Sequence, residues 1–340
     1  MERKIITFAE PRKVEIRSSR MPPMDENSIR TKTTVTSISR GTELNLYNGR
    51  TRQIRGIWYA WYPLVPGYET VGRVIETGAN VDYVKEGDRV VGATVAPEFE
   101  GFCSAWGGQA EYGHYSKSIV HDDDSVEPAK IPDSVSDEEA AMTVLSTVAL
   151  NGIRNKLSFV GPGTTVVVLG QGAMGLAACQ FLNQMGARVI VADAVEARAD
   201  IARREGWAES VCGSSNELID PIAELTNGGP DVVHDTTGSI ECLHASMEMV
   251  RPGGTILGTG LYLQPITIDL CNTIWTRSLT FACCVGASPG IRSDILNMID
   301  EGTFNAKVMV SETFDVDQAD EAYRRVDAEP DKIIKPVIRW

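Results

Sequence analysis

The feature that most constrains this chain is a run near its middle, TTVVVLGQGAMGLAACQFLNQMG, at residues 164–186. A continuous apolar strand, the kind buried on both faces of a parallel sheet, runs into Gly170-Gln171-Gly172-Ala173-Met174-Gly175 and then into a helical pattern. A second apolar strand, ARVIVADA, brings Asp193 about 20 residues past the first glycine. A lone G-x-G-x-x-G carries little weight. Between a strand and a helix, with an acid closing the next strand, it is a dinucleotide-binding fingerprint. Gly170 permits the tight turn, Gly172 lets the backbone approach a pyrophosphate, and Gly175 lets helix and strand pack closely. Ala173 and Met174 lie in the first helical turn, whose free N–H groups and positive dipole end face the phosphates. Asp193 would accept hydrogen bonds from the adenosine ribose hydroxyls and repel a 2′-phosphate, so NAD is expected over NADP. Arg198, shortly after it, could reach a 2′-phosphate instead.

The alternation continues through EARADIARREG, Glu209 to Cys212, DVVHDTTG, ECLHASMEMVRPGG and GGTILGTG. Regular β-α alternation with short loops predicts a doubly wound α/β domain. Strand C-termini carry the ligand in such sheets, so Thr237, Gly258 and Leu261 are candidates for the nicotinamide or ribose. They are equally ordinary turn residues.

The first 150 residues read as β-rich. Strands are predicted at Thr31–Ile38, Thr70–Ile75, Arg89–Val95 and Ala110–Tyr115, punctuated by Gly and Pro. Residues 121–135 read as an exposed acidic loop, and Asp137 opens a helical pattern that runs to Arg154 with acids in its first turn. The expected organisation is a β-rich domain over 1–150, a nucleotide domain over 151–290 and a return segment over 291–340 that ends in a strand.

Charge narrows the partners. Lys and Arg number 32 against 46 Asp and Glu, a net charge of −14. That balance disfavours nucleic acid and anionic membrane surfaces. Seven Cys without C-x-x-C spacing and four His, none before residue 114, exclude a disulfide framework and a zinc knuckle. The N-terminus shows no apolar targeting segment and no stretch reaches 18 apolar residues, so a cytoplasmic protein with reduced thiols is expected.

Residues 67–92, GYETVGRVIETGANVDYVKEGDRVVG, and GGQAEY at Gly107–Tyr112 resemble the signatures of the medium-chain dehydrogenase/reductase superfamily, the zinc alcohol dehydrogenase relatives. Gly67, Glu69, Gly72, Gly78 and Gly87-Asp88-Arg89-Val90 match the family pattern. With the nucleotide half, the likeness spans nearly the whole chain. It implies a GroES-like catalytic domain interrupted by a Rossmann domain. TSISRGTE and YPLVPGYETVGRV are similar to the zinc-free branch that contains bacteriochlorophyllide a dehydrogenase.

The departures bear on chemistry. Family members draw their catalytic zinc ligands from C-x-T-D, from G-H-E and from a later Cys. Here those positions read Arg40-Gly41-Thr42-Glu43, Gly67-Tyr68-Glu69 and, near the third, Leu145 or Ser146. The structural-zinc lobe keeps only Cys103. These groups cannot make a closed N/S site, so no zinc is expected. Hydride transfer at a carbon–oxygen bond then needs another proton handler. The expectation is Tyr68 as general acid/base, Thr42 holding the substrate oxygen, Arg40 lowering the phenol's pKa, and Glu43 and Glu69 as supporting carboxylates. Tyr68 could equally be a packed core tyrosine and Arg40 an ion-pair partner of Glu43 or Glu69.

Trp58, Tyr59, Trp61 and Tyr62 crowd just before this motif. Trp58, Tyr59, Trp61 and Trp106 are candidates for a flat apolar or sugar-stacking pocket, with core or subunit contacts as the other reading. Cys103 and His114 are possible neighbours; His234 and His244 read as structural. The leading expectation is an NAD-dependent, zinc-independent oxidoreductase acting on a secondary alcohol or ketone of a sugar, polyol or larger ring. The alternatives are a quinone or enoyl C=C reductase and a non-catalytic dinucleotide sensor. The family implies a homodimer or homotetramer.

Overall fold

The computed structural model describes residues 2–50, 53–54, 58–92, 100–104, 106–116, 128–286 and 290–340, with backbone alone at 53–54 and 58–59. Contacts divide the chain into two units. The first joins Met1–Val144 to Ser288–Trp340, and the second is Leu145–Ala287. The first split falls at Val144/Leu145, inside a helix, rather than at residue 150.

The first unit is built on two sheets. One has the order β2 (Lys13–Arg20), β1 (Glu2–Glu10), β6 (Leu64–Val65), β9 (Cys103–Ser104). The other runs β11 (Ala129–Lys130), β8 (Arg89–Gly92), β7 (Thr70–Thr77), β3 (Ser28–Ser37), β19 (Lys335–Arg339), β18 (Val310–Asp315), with β10 (Tyr112–Ser116) also paired to β3. β4 (Gln53–Ile54) and β5 (Trp58–Tyr59) form a short ladder. The core gathers Phe8, Ile38, Tyr47, Leu64, Cys103, Phe314, Tyr323 and Ile338. Each fully buried large apolar side chain contributes about 1.5–3 kcal/mol. α1 (Glu43–Tyr47) and α9 (Ala319–Ala328) both face this core, the latter through Ala322, Tyr323 and Val326. α8 (Ile291–Asp300) buries Ile291, Ile295 and Leu296.

The helical pattern after Ser136 divides into α2 (Asp137–Ala141) and α3 (Thr143–Lys156). A capping box starts α2: Glu139 N–H donates to the Ser136 hydroxyl, and the Glu139 carboxylate accepts from Ser136 N–H. The Thr143 hydroxyl donates to Ala140 O at 2.7 Å, a local bond that competes with the helical ladder. That accounts for the break, which the apolar periodicity does not register. The strand expected over Arg89–Val95 is described only to Gly92, and residues 121–127 of the expected loop lie outside the described residues. The loop's described part holds β11.

The second unit is one parallel sheet of β14 (Glu209–Cys212), β13 (Arg188–Asp193), β12 (Thr165–Leu169), β15 (Val232–Asp235), β16 (Thr255–Gly258) and β17 (Thr280–Cys283), in that order. Within the unit this is 3-2-1-4-5-6, the Rossmann order, with its switch point between β12 and β15. Val166, Val167 and Val168 are fully buried, as a strand covered on both faces requires. The connecting helices are α4 (Ala173–Gln184), α5 (Glu196–Arg204), α6 (Ile219–Thr226) and α7 (Ile240–Met249). Among the described residues no helix is long and apolar enough to cross a membrane.

Candidate active site

In the second unit three loops meet at the carboxyl ends of the central strands. Gly170 turns at φ +85° directly after β12. A Cβ on Gly175 would overlap the carbonyl oxygen of Gly170, so glycine is required for the helix to start this close to the strand. A Cβ on Gly172 would meet nothing within 4 Å. Gly172 is the N-cap of α4, which no side chain caps. Open space in front of uncapped helix N–H groups, at Gly172, Ala173 and Met174, fits a pyrophosphate.

The Asp193 carboxylate closes β13 and accepts Gln171 N–H at 2.6 Å and Val195 N–H at 2.8 Å, one on each oxygen. It thereby ties the glycine loop to the start of α5, and each oxygen keeps acceptor capacity for a ribose hydroxyl. Arg198 lies on the first turn of α5, half-buried. At the next loop the Thr236 hydroxyl donates to Leu169 O at 2.9 Å. Thr237 packs against Gly170, and its N–H and hydroxyl donate to Asp235 at 2.8 and 2.6 Å. Gly260 and Leu261, after β16, close on Gly238 so tightly that a Cβ at Gly238 would lie 2.8 Å from Leu261 O. Gly258 sits under the Tyr262 ring. Burial raises the Asp235 carboxyl above its ordinary range, and burial and Asp235 raise the Tyr262 phenol. The sequence singled out Thr237, Gly258 and Leu261; Thr236, Asp235 and Tyr262 went unnoticed beside them. His234 is fully buried and bonded to the Thr259 hydroxyl at 3.0 Å. Burial pushes it down to about 4, so it stays neutral.

In the first unit Tyr68, just before β7, is buried, and its hydroxyl donates to the Ser39 hydroxyl at 2.6 Å. The Thr42 side chain lies close enough to favour its ionised form. The Tyr68 ring meets Trp106 edge-on, with centroids 4.9 Å apart and planes at 65°. Trp106 holds φ +67°, a left-handed conformation rare for a bulky residue. Trp61 packs on the same core. The side chains of Trp58 and Tyr59 lie outside the described part.

Arg40 does not serve Tyr68 as expected. Its guanidinium donates to Val326 O, at the end of α9, and to Ile333 O. Burial, and after it the Glu69 charge, raise the Tyr68 phenol far above its ordinary value. The expected lowering by Arg40 is thus corrected: Tyr68 stands as a neutral phenol. Glu69, fully buried, binds the buried Lys335 ammonium, which also donates to Ile38 O at 3.3 Å. Burial raises the Glu69 carboxyl while Lys335 lowers it. Glu43 accepts from Ser39 N–H at 3.0 Å, from the Tyr323 hydroxyl at 2.6 Å and from Gln109 at 3.4 Å. Ser39, Gln109, Tyr323 and Lys335 went unread in the sequence. Ser39 and Gln109 alone carried a signal, the first adjoining the Arg40 motif and the second lying inside GGQAEY.

Among the described residues no three His, Cys, Asp or Glu gather as a metal site. At the two family ligand positions in this unit stand a guanidinium bonded to carbonyls and a neutral phenol bonded to a hydroxyl. Neither is a thiolate or imidazole, so this donor set does not fit catalytic zinc. Leu145 and Ser146 belong to the second unit.

Two family models match in tandem. Residues 26–133 match the alcohol dehydrogenase GroES-like domain, and residues 173–302 match the zinc-binding dehydrogenase. The chain is 25% identical to an alcohol dehydrogenase of Cupriavidus necator across 99% of itself and 98% of that protein. It is 27% identical to a D-xylulose reductase of Saccharomyces cerevisiae across 98% and 96%. A crystal structure of an alcohol dehydrogenase from Escherichia coli complexed with NADH superposes with a TM-score of 0.83 at 20% identity, covering 100% of this chain and 99% of that one. With a GroES-like domain and a Rossmann domain in this order, the chain belongs to the alcohol dehydrogenase-like medium-chain dehydrogenase/reductase superfamily of oxidoreductases.

Proposed function

We propose that the chain is a zinc-independent, NAD-dependent oxidoreductase that interconverts a secondary alcohol and its ketone on a sugar, polyol or larger ring-bearing substrate. The observation that carries this reading is the buried Tyr68 hydroxyl, bonded to the Ser39 hydroxyl and influenced by the Thr42 side chain, where relatives place a metal ligand. The relatives named for alcohols and xylulose support the substrate class.

Gly170, Gly172, Ala173, Met174, Gly175 and Asp193 would hold the dinucleotide, with Asp193 favouring NAD over NADP. When bound, the nicotinamide gives or takes the hydride. In ketone reduction Tyr68 would give its proton to the carbonyl oxygen. Ser39 and Thr42 then turn their O–H groups toward the phenolate, and water returns the proton. A phenol held protonated across neutral pH carries the proton that a general acid must give. Alcohol oxidation runs the same step backwards and needs the phenolate, so its rate should climb with pH. Thr42, the half-buried member of the trio, is the group that meets the substrate oxygen. Trp106 and Trp61 supply apolar wall.

Tyr68→Phe keeps the ring and removes the proton. Turnover of chelator-treated enzyme should fall by about 10²–10⁴-fold while NADH affinity holds. Full turnover by Tyr68→Phe, or turnover that returns only with added zinc, sinks the reading.

A further inference from the structure

Behind Tyr68 the chain closes on itself. Glu43 N–H donates to Ser39 O at 2.9 Å, and Ser39 N–H donates back to one Glu43 oxygen at 3.0 Å. The other oxygen is gripped from two distant elements, by the Tyr323 hydroxyl of α9 at 2.6 Å and by Gln109 at 3.4 Å. Those grips are themselves fixed. Gln109 accepts from the Thr36 hydroxyl at 2.6 Å. Tyr323 stacks on Tyr47 and meets Phe8 edge-on. Glu43 is fully buried, so the carboxylate has nowhere else to go. What it fixes is the backbone of Ser39, the residue whose hydroxyl carries Tyr68.

We propose that Glu43 is the positioning residue of this site, setting the place of the Tyr68 hydroxyl through Ser39, and that its ionisation switches that placement. This rests on the proposed role of Tyr68. The ionised carboxylate accepts three donors, and a proton on it neutralises the charge that holds them and so loosens all three bonds. The charged and titratable groups facing it are Glu69 before β7, Lys335 of β19, Tyr323 of α9 and Tyr68. Burial pushes the Glu43 carboxyl up to about 7, with Glu69 adding to the rise and the Tyr323 and Ser39 bonds and Lys335 opposing it. The switch therefore falls at ordinary assay pH.

The test pairs spectroscopy with kinetics on wild type, Glu43→Gln and Tyr68→Phe, the last assigning the Tyr68 signal. With tyrosine labelled by ¹³C at Cζ, the Tyr68 resonance should move as pH crosses about 7 in wild type and stay still in Glu43→Gln. Ketone reduction by wild type should lose kcat below that pH. Glu43→Gln should be lower by about tenfold to a hundredfold, flat across the same range, and unchanged in KM for NADH. Thermal melting of Glu43→Gln checks that it folds. A Tyr68 resonance that ignores pH in wild type, or moves equally in Glu43→Gln, overturns the proposal. A resonance that behaves as stated in a protein with no turnover keeps the positioning and removes the enzymatic reading instead.

Discussion

Lys335→Met isolates the energetics of the buried acid-base pair. The two side chains are 1% and 0% exposed, and the ammonium is the cation facing Glu69. Removing one partner of such a pair costs ~3–5 kcal/mol, because the remaining charge is stranded. Glu69 escapes in part by taking a proton. Burial already raises its carboxyl, and losing Lys335 raises it further. A folded-state value above the unfolded one of about 4.3 gives a definite sign. Below that pH the carboxyl is neutral in both states and the variant loses little. Above it, the penalty grows by about 1.4 kcal/mol per pH unit until the folded carboxyl ionises. Urea unfolding of wild type and variant at pH 4 and pH 8 reads the difference directly. The variant should lie close to wild type at pH 4 and ~3–5 kcal/mol below it at pH 8. Glu69→Leu/Lys335→Met should recover most of the loss. A pH 8 penalty under ~1 kcal/mol, or an equal penalty at both pH values, refutes the reasoning.

Three further outcomes are expected. Gly175→Ala drives a Cβ into the Gly170 carbonyl; NADH binding followed by fluorescence should be lost and the second unit weakened by about 1–3 kcal/mol. Asp193→Ser removes the charge beside the glycine loop and should move the NAD/NADP ratio of kcat/KM toward NADP by about tenfold or more, while an unmoved ratio counts against Asp193 as the selector. Edge strand β17 and its surroundings expose Leu270, Trp275, Phe281 and Val285, with Trp275 and Val285 each 73% exposed. We propose that these side chains meet a second copy of the chain, which predicts that Trp275→Glu shifts light-scattering mass toward the monomer.

The nucleotide unit was legible because its information is local. An apolar strand, a glycine turn and a helix follow one another within residues 164–186, and the Asp at the next strand end needs no distant partner to be recognised. The buried cluster around Tyr68 was legible only in part: Thr42, Glu43, Tyr68 and Glu69 stand in the motifs, while their distant partners do not. Tyr323 meets Glu43 and Lys335 meets Glu69 across 280 and 266 residues of chain, and neither spacing leaves a trace in periodicity. Reading Arg40 and Tyr68 as neighbours in function followed from aligned motifs alone. What sequence cannot supply is direction: the guanidinium turns to the carbonyls at the end of α9, and the phenol turns to a serine one position upstream of Arg40. The helix break at Met142 was hidden for a similar reason, because one threonine hydroxyl decides it.

The threading of the first unit through residues 1–144 and 288–340 has a consequence for biosynthesis. Chains leave the ribosome N-terminus first. Glu43 and Glu69 emerge early, yet Tyr323 and Lys335 arrive only after the entire intervening unit has been translated. Until then both carboxyls are left in water, where their ionised forms resist being sealed into an apolar interior. The nucleotide unit has all its strands in hand sooner. The order of assembly is thereby written into the connectivity: the later-starting unit can finish first, and the core around Glu43 and Glu69 is the last part of the nascent protein to close.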